Sequence, residues 1–275
     1  MRTRKIAMSK VTLFALVLSL FMGAFVLKSQ AQESKNYFVV VDFMKVKQGD
    51  EAKYVELEKE VWKPIHEERI KQGEIVGWVL YAIHYAGSDD EYNFVTAALF
   101  DDPAKLEHTF QVDMEKVHPG KDLDKAFAET LSSRELVRKQ LLYRDDFVYP
   151  EGGPGDFKYI QVNFMKVKPG NGGAYVEHER KVWKPVHQAL VDAGTRSGWS
   201  LWECVYPMGA GMPYDYVTVD YYADFSKLGA ADIMEAFEKA HPGKMMNELT
   251  TETNQVRKQV KAELWEVIDS AWKQE

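Results

Sequence analysis

The sequence predicts an α+β fold made of two tandem β-α-β-β-α-β halves. The first observation is an internal repeat. Phe43-Met44-Lys45-Val46-Lys47 returns as Phe164-Met165-Lys166-Val167-Lys168, and Val61-Trp62-Lys63-Pro64-Ile65-His66 as Val182-Trp183-Lys184-Pro185-Val186-His187, both 121 residues on. The match continues through Gly77-Trp78/Gly198-Trp199, slips slightly before His118-Pro119-Gly120-Lys121/His241-Pro242-Gly243-Lys244, and resumes at Val137-Arg138-Lys139-Gln140/Val256-Arg257-Lys258-Gln259. Small slips between matching blocks mark a duplicated domain, not a short-period solenoid. The second observation is that the hydrophobic period switches between 2 and 3.6 in the same order in both copies. The third is a turn-rich linker between them, Tyr149-Pro150-Glu151-Gly152-Gly153-Pro154-Gly155.

In the first copy, residues 37–47 alternate as a half-buried strand does, and 50–72 carry Leu57, Val61, Ile65 and Ile70 at helical spacing. Residues 75–85 and 92–100 read as strands around Gly87-Ser88-Asp89-Asp90. Residues 103–117 and 121–131 read as helices hinged at His118-Pro119-Gly120, and 134–148 as a last strand. The second copy repeats this from Tyr159 to about Ile268. The predicted boundaries are a leader over 1–31, a half over 32–148, a linker over 149–158 and a half over 159–275.

The leader has a basic start (Arg2, Arg4, Lys5, Lys10), an apolar stretch from Val11 to Leu27 and the small-x-small site Ser29-Gln30-Ala31, which read as a secretory signal. The expected destination is periplasmic or extracellular; an uncleaved anchor is the alternative, since the apolar stretch is near the lower limit for a span. Acidic residues number 42 against 35 basic, a net charge of −7, and removing Arg2, Arg4, Lys5, Lys10 and Lys28 leaves −12. Such a surface gains nothing by releasing counterions from nucleic acid or anionic lipid, so neither is an expected partner. The single cysteine, Cys204, allows no internal disulfide.

The order β-α-β-β-α-β is the split ferredoxin-like unit. With its duplication the chain resembles the dimeric α+β barrel superfamily. That group includes antibiotic-biosynthesis-type monooxygenases, stress-responsive barrel proteins and chlorite-dismutase-like haem proteins. The resemblance implies two ferredoxin-like sheets closing into an intrachain pseudo-dimeric barrel with a central cavity.

Strand parity nominates residues for that cavity. Val39, Val41 and Phe43 match Ile160, Val162 and Phe164, an apolar set suited to lying under helices. Asp42, Asn163, Thr96, Thr218 and Asp220, on the opposite faces, are then expected inside the barrel, with Arg138 and Arg257 as counter-charges. These residues are either a buried ion-pair network or the lining of a small-molecule pocket.

A second group lies on the first helix of each half. Tyr54, Glu58, Trp62 and His66 are spaced by four, as are Tyr175, Glu179, Trp183 and His187, so each set forms one stripe. Pro64 and Pro185 are expected to kink or break these helices. The stripes are packing surfaces or pocket walls, with Glu58, Glu179, Trp62 and Trp183 as ligand contacts. His187, ahead of His66, is the acid–base candidate, because Ala98 and Ala82 of the first copy become Asp220 and Glu203 in the second. Glu58 and His66 lie roughly 12 Å apart along a helix, too far to share a metal ion. No cofactor is favoured, but a haem needs one axial histidine, which leaves His66, His187, His118 and His241 open. Three functions follow: a non-catalytic small-molecule-binding barrel, a cofactor-independent monooxygenase-like enzyme, or a haem-binding relative. A homo-oligomer is compatible with all three.

Overall fold

The computed structural model describes residues 37–107, 111–151, 153, 155–229 and 233–274, so the predicted leader lies outside the described residues. The described residues form eight strands: β1 Phe38–Val46, β2 Gly77–Ile83, β3 Phe94–Phe100, β4 Arg134–Val148, β5 Tyr159–Val167, β6 Gly198–Tyr206, β7 Tyr216–Tyr222 and β8 Arg257–Trp272. All pair antiparallel and close into one barrel in the order β1-β3-β2-β8-β5-β7-β6-β4. Each copy thus supplies four consecutive staves. The seams are β2 with β8 and β4 with β6. They exist because β4 and β8, at 15 and 16 residues, outrun their partners within their own copy and pair onward with the other one.

The helices are α1 Glu51–Leu57, α2 Lys63–Lys71, α3 Met114–Val117 and α4 Leu123–Ser133, repeated as α5 Gly172–His178, α6 Lys184–Asp192, α7 Ile233–Ala240 and α8 Met246–Val256. A π turn joins α1 to α2 (Glu58–Trp62) and α5 to α6 (Glu179–Trp183). Pro64 and Pro185 therefore neither break nor end the helix, because each falls in the first turn after a π turn that absorbs the offset. The helix expected over 103–117 is shorter than its pattern: a 3₁₀ turn at Pro103–Glu107 and then α3. Asp113 and Asp122 cap α3 and α4, accepting from the amides of Lys116 and Lys125. Gly73 and Gly194 follow α2 and α6 with φ of 73° and 68°, a left-handed exit that suits glycine.

The core of the barrel is largely apolar and common to both copies: Val39, Val41, Phe43, Val95 and Ala97 meet Ile160, Val162, Phe164, Val217 and Val219, with Trp202 and Trp265 between them. The helix side of the first copy holds Met44, Tyr54, Trp78 and Phe94, that of the second Met165, Tyr175, Trp199 and Tyr216. This inverts the facing predicted from parity. An eight-stranded barrel is just wide enough to be filled by side chains, so the uniformly apolar faces go inward and the mixed faces meet the helices. Asp42, Thr96, Asn163, Thr218 and Asp220 accordingly lie under the helices.

Register also corrects the repeat. Val46 pairs with Arg134, and its counterpart Val167 pairs with Arg257; Phe43 pairs with Arg138, and Phe164 with Lys261. The structural equivalent of Arg257 is thus Arg134, and that of Arg138 is Lys261. The shared string Val-Arg-Lys-Gln is out of step with the ladder by four residues, because hydrogen-bonded pairing, not letter identity, sets register.

At the second seam a Cβ on Gly198 would stand 2.6 Å from the Tyr149 ring and 3.2 Å from the Val148 carbonyl oxygen. Gly198→Ala is expected to lower unfolding stability by about 1–3 kcal/mol. Gly211→Ala, where a Cβ meets nothing within 4 Å, should stay within about 0.5 kcal/mol. Urea unfolding of both variants measures the difference.

Candidate functional site

Each copy encloses a polar nest between its first helix and the outer face of its sheet. In the second copy the π turn begins at Glu179, 2% exposed, beside Tyr175 and with Arg257 Nε 3.7 Å from Glu179 Oε1. Beneath it Asn163 donates to Thr218 Oγ1 (3.3 Å) and to Asp220 Oδ2 (3.1 Å), and accepts from Gln161 (2.8 Å) and Gln259 (3.2 Å). Arg196 lies 2.7 Å from Asp220 Oδ1 and donates to His187 Nδ1. Within this nest Tyr175 Oη, Glu179 Oε1 and Arg257 Nε are buried without a well-formed hydrogen bond, while Asp220 Oδ1 is held by the Arg196 ion pair.

The first copy holds a sparser version. Glu58, 4% exposed, lies beside Tyr54 within electrostatic reach of Arg134 and Asp42, and Asp42 pairs with Lys139 at 3.4 Å. The register places Val40, Ala98 and Leu136 where the second copy has Gln161, Asp220 and Gln259. Thr96 occupies the place of Thr218.

The stripe residues divide by role. Trp62 and Trp183 donate to Thr130 Oγ1 (3.1 Å) and Thr253 Oγ1 (2.9 Å), which pins the first helix to the last in each copy. His66 stacks on Trp78 at 4.9 Å and His187 on Trp199 at 4.6 Å. Burial, followed by the adjacent Arg69, lowers His66 to about 3; burial and Arg196 push His187 well below its ordinary range. Asp220 does not make His187 an imidazolium, because Arg196 stands closer to that carboxylate: the Nδ1–Oδ1 separation is 3.6 Å. His187 and His66 are therefore neutral imidazoles, each with Nδ1 against an arginine. Burial drives Glu58 and Glu179 the other way, from near 4.5 to about 7. These glutamates are the stripe residues that titrate near neutrality.

Arg138 joins neither nest. It enters the barrel, its guanidinium carbon 4.3 Å from the centre of the Phe43 ring, with Glu91 3.6 Å away. Arg196 escaped sequence reasoning because it has no counterpart: Ile75 stands at its repeat position, and the first copy uses Arg69, from the helix, with Glu74 at 2.8 Å.

The four histidines left open for haem are engaged within the fold. His118 and His241 bond through Nε2 to the carbonyls of Val61 (2.9 Å) and Val182 (2.8 Å) in the π turns, and His66 and His187 lie flat against tryptophan. Axial ligation requires an imidazole nitrogen aimed into an open pocket. No cluster of three or more His, Cys, Asp or Glu among the described residues could hold a metal ion.

Beside the second nest is a cleft of about 340 Å³, walled by Ile83 to Ala86, Asp90 and Tyr92 of the first copy and by Gln161 and Lys261 to Leu264 of the second. Gln161 both lines this cleft and donates to Asn163, so cleft and nest share a wall.

The architecture has solved counterparts. A structure from Fusobacterium nucleatum subsp. nucleatum, provisionally described as a monooxygenase, superposes with a TM-score of 0.54 at 12% identity over 88% of this chain and 96% of its own. Another so described, from Lactobacillus acidophilus NCFM, gives 0.51 at 10% over 87% and 97%. The chain has the dimeric α+β barrel fold. No family model and no curated protein matches the sequence.

Within this barrel the two glutamates leave a signature in stability. Between about 4.5 and 7 the native state keeps protons that an unfolded glutamate has released, so their contribution falls as pH rises through that window. Glu179→Gln is therefore expected to stabilise the protein at pH 8 by on the order of 1–3 kcal/mol and to leave it unchanged at pH 4.5. Chemical unfolding at the two pH values checks this.

Proposed function

We propose that this chain is an exported, monooxygenase-like enzyme acting on a small organic substrate. In this reading two ferredoxin-like halves, 32–148 and 159–275 with a linker at 149–158, do in one chain what two subunits do in a dimer. One observation carries the reading. Three buried polar atoms without a well-formed hydrogen bond, Tyr175 Oη, Glu179 Oε1 and Arg257 Nε, converge in the second nest, around a carboxyl group that burial raises to about 7. Native proteins satisfy more than about 90% of such groups, so a cluster of them is an address for a polar ligand or ordered water.

The chemistry follows from the charges. A hydroxyl or carbonyl on the substrate completes the bonds of Arg257 Nε and Tyr175 Oη, and the remaining ring lies toward the cleft. Glu179 as carboxylate takes a phenolic proton, leaving a phenolate electron-rich enough to be oxidised by dioxygen, one oxygen atom bonding to a ring carbon in place of its hydrogen to give a quinone and the other leaving as water; near neutrality both protonation states of Glu179 are populated. Fold likeness to the two structures above supports this reaction class but names no substrate. The second copy is favoured over the first because Gln161, Asp220 and Gln259 replace apolar residues there.

Oxygen uptake by the purified protein with a panel of hydroxylated aromatic compounds tests the reading. Substrate-dependent uptake should fall roughly 100-fold or more in Glu179→Gln and persist in Glu58→Gln. Saturable quenching of tryptophan fluorescence without uptake would assign the chain to non-catalytic binding. An N-terminus at Gln32 on protein recovered from the exported fraction would establish leader cleavage; an intact Met1 would favour the anchor.

A further inference from the structure

The mouth of the barrel carries a pseudo-symmetric pair of stations that the sequence completes on only one side. On β8, Lys261 and Glu263 point inward from the register positions of Phe164 and Val162. Glu263, 6% exposed, accepts from Lys261 (2.5 Å), from the Tyr92 hydroxyl (3.0 Å) and from Trp265 Nε1 (2.8 Å). That station is a cation with its own carboxylate.

On β4 the matching places, opposite Phe43 and Val41, hold Arg138 and Gln140. Arg138 faces the rings of Phe43, Tyr92 and Tyr214 at 4.3, 5.3 and 5.7 Å. Gln140 is 1% exposed and accepts from the Tyr214 hydroxyl, the counterpart of Tyr92 with Glu263. An amide cannot answer the guanidinium as Glu263 answers Lys261. Gln140 Nε2 and Arg138 Nε are left as buried donors without an acceptor. The anion paired with Arg138 is Glu91, on the rim, 3.6 Å away and 58% exposed.

We propose that the β4 station binds a small carboxylate. Its oxygens would occupy the position that Glu263 fills on the other side, taking hydrogen bonds from Arg138 and Gln140, with its apolar part against Phe43 and Tyr214. The β4 station shares no residue with the second nest and stands apart from the oxygenase reading. A half-buried guanidinium and a buried amide, each with one unfilled donor, gain more from a hydrogen-bonded anion than an exposed rim pair supplies.

Thermal unfolding of the full mature chain tests it with four probes at matched ionic strength: sodium acetate, sodium benzoate, benzamide and sodium sulfate. Acetate or benzoate should raise Tm saturably, while benzamide and sulfate do not. Gln140→Glu, which installs the missing carboxylate, should raise Tm without additive and abolish the benzoate response; Arg138→Gln should also abolish it. Equal protection by sulfate would show unspecific screening and overturn the proposal, as would no carboxylate response in the unmodified chain. Retention of the full response in either variant would overturn it as well. If Gln140→Glu does not fold, Arg138→Lys decides: a point charge without the planar fork should weaken benzoate at least tenfold, and an unchanged affinity would remove Arg138 from the site.

Discussion

Closure of the eight strands is the constraint from which the remaining arrangement follows. Because β4 and β8 run on past their own copies to pair with β6 and β2, no free sheet face is left between the copies, and the enclosed space must be filled by side chains. The apolar faces of β1 and β5 fill it. Asp42, Thr96, Asn163, Thr218 and Asp220, of alternate parity, are thereby turned outward under the helices, where water is scarce and each hydrogen-bonding group must find a partner. The nests are a consequence of that filled core.

The two repeated motifs, Trp-Lys-Pro-x-His and His-Pro-Gly-Lys, prove to be one device. A proline at position 64 has no N–H to offer the Glu60 carbonyl, and the helix answers with a π turn. Lys121 supplies a donor to Glu60 O at 3.1 Å and His118 one to Val61 O at 2.9 Å; His241 repeats the second contact at Val182. The π turn turns Glu58 and Glu179 inward, which is why carboxyl groups are buried at the start of each turn. The histidine of His-Pro-Gly-Lys thus serves another segment's backbone as well as its own helix end.

Duplication then allowed the copies to diverge around this shared frame. Both keep the tyrosine, glutamate and arginine of the nest and a histidine flat on tryptophan. They differ in how the histidine is held neutral, by Arg69 with Glu74 in one and Arg196 with Asp220 in the other. The same divergence appears inside the barrel, where Lys261 and Glu263 face Arg138 and Gln140. One copy pairs its cation with a carboxylate, and the other sets an amide in that place, which leaves Arg138 Nε and Gln140 Nε2 without an acceptor.

The sequence by itself determined the duplication, the order of strands and helices, and the residue types gathered along the first helix, because those depend on local periodicity and on spacing along one chain. Glu58 and Glu179 were legible as candidates for that reason, and so was the greater polarity of the second copy. Tertiary structure decided which face of each strand is inside, since periodicity of two separates the faces without naming them. It also decided that Arg134, not Arg138, corresponds to Arg257, because register belongs to the ladder. It made glutamates rather than histidines the titrating groups, because burial opposes charge on both and so leaves buried imidazoles neutral far below pH 7 while carrying buried carboxyls up to it. Arg196, which pairs with Asp220, had no signal in the repeat at all; only the folding of its loop over β7 brings it there.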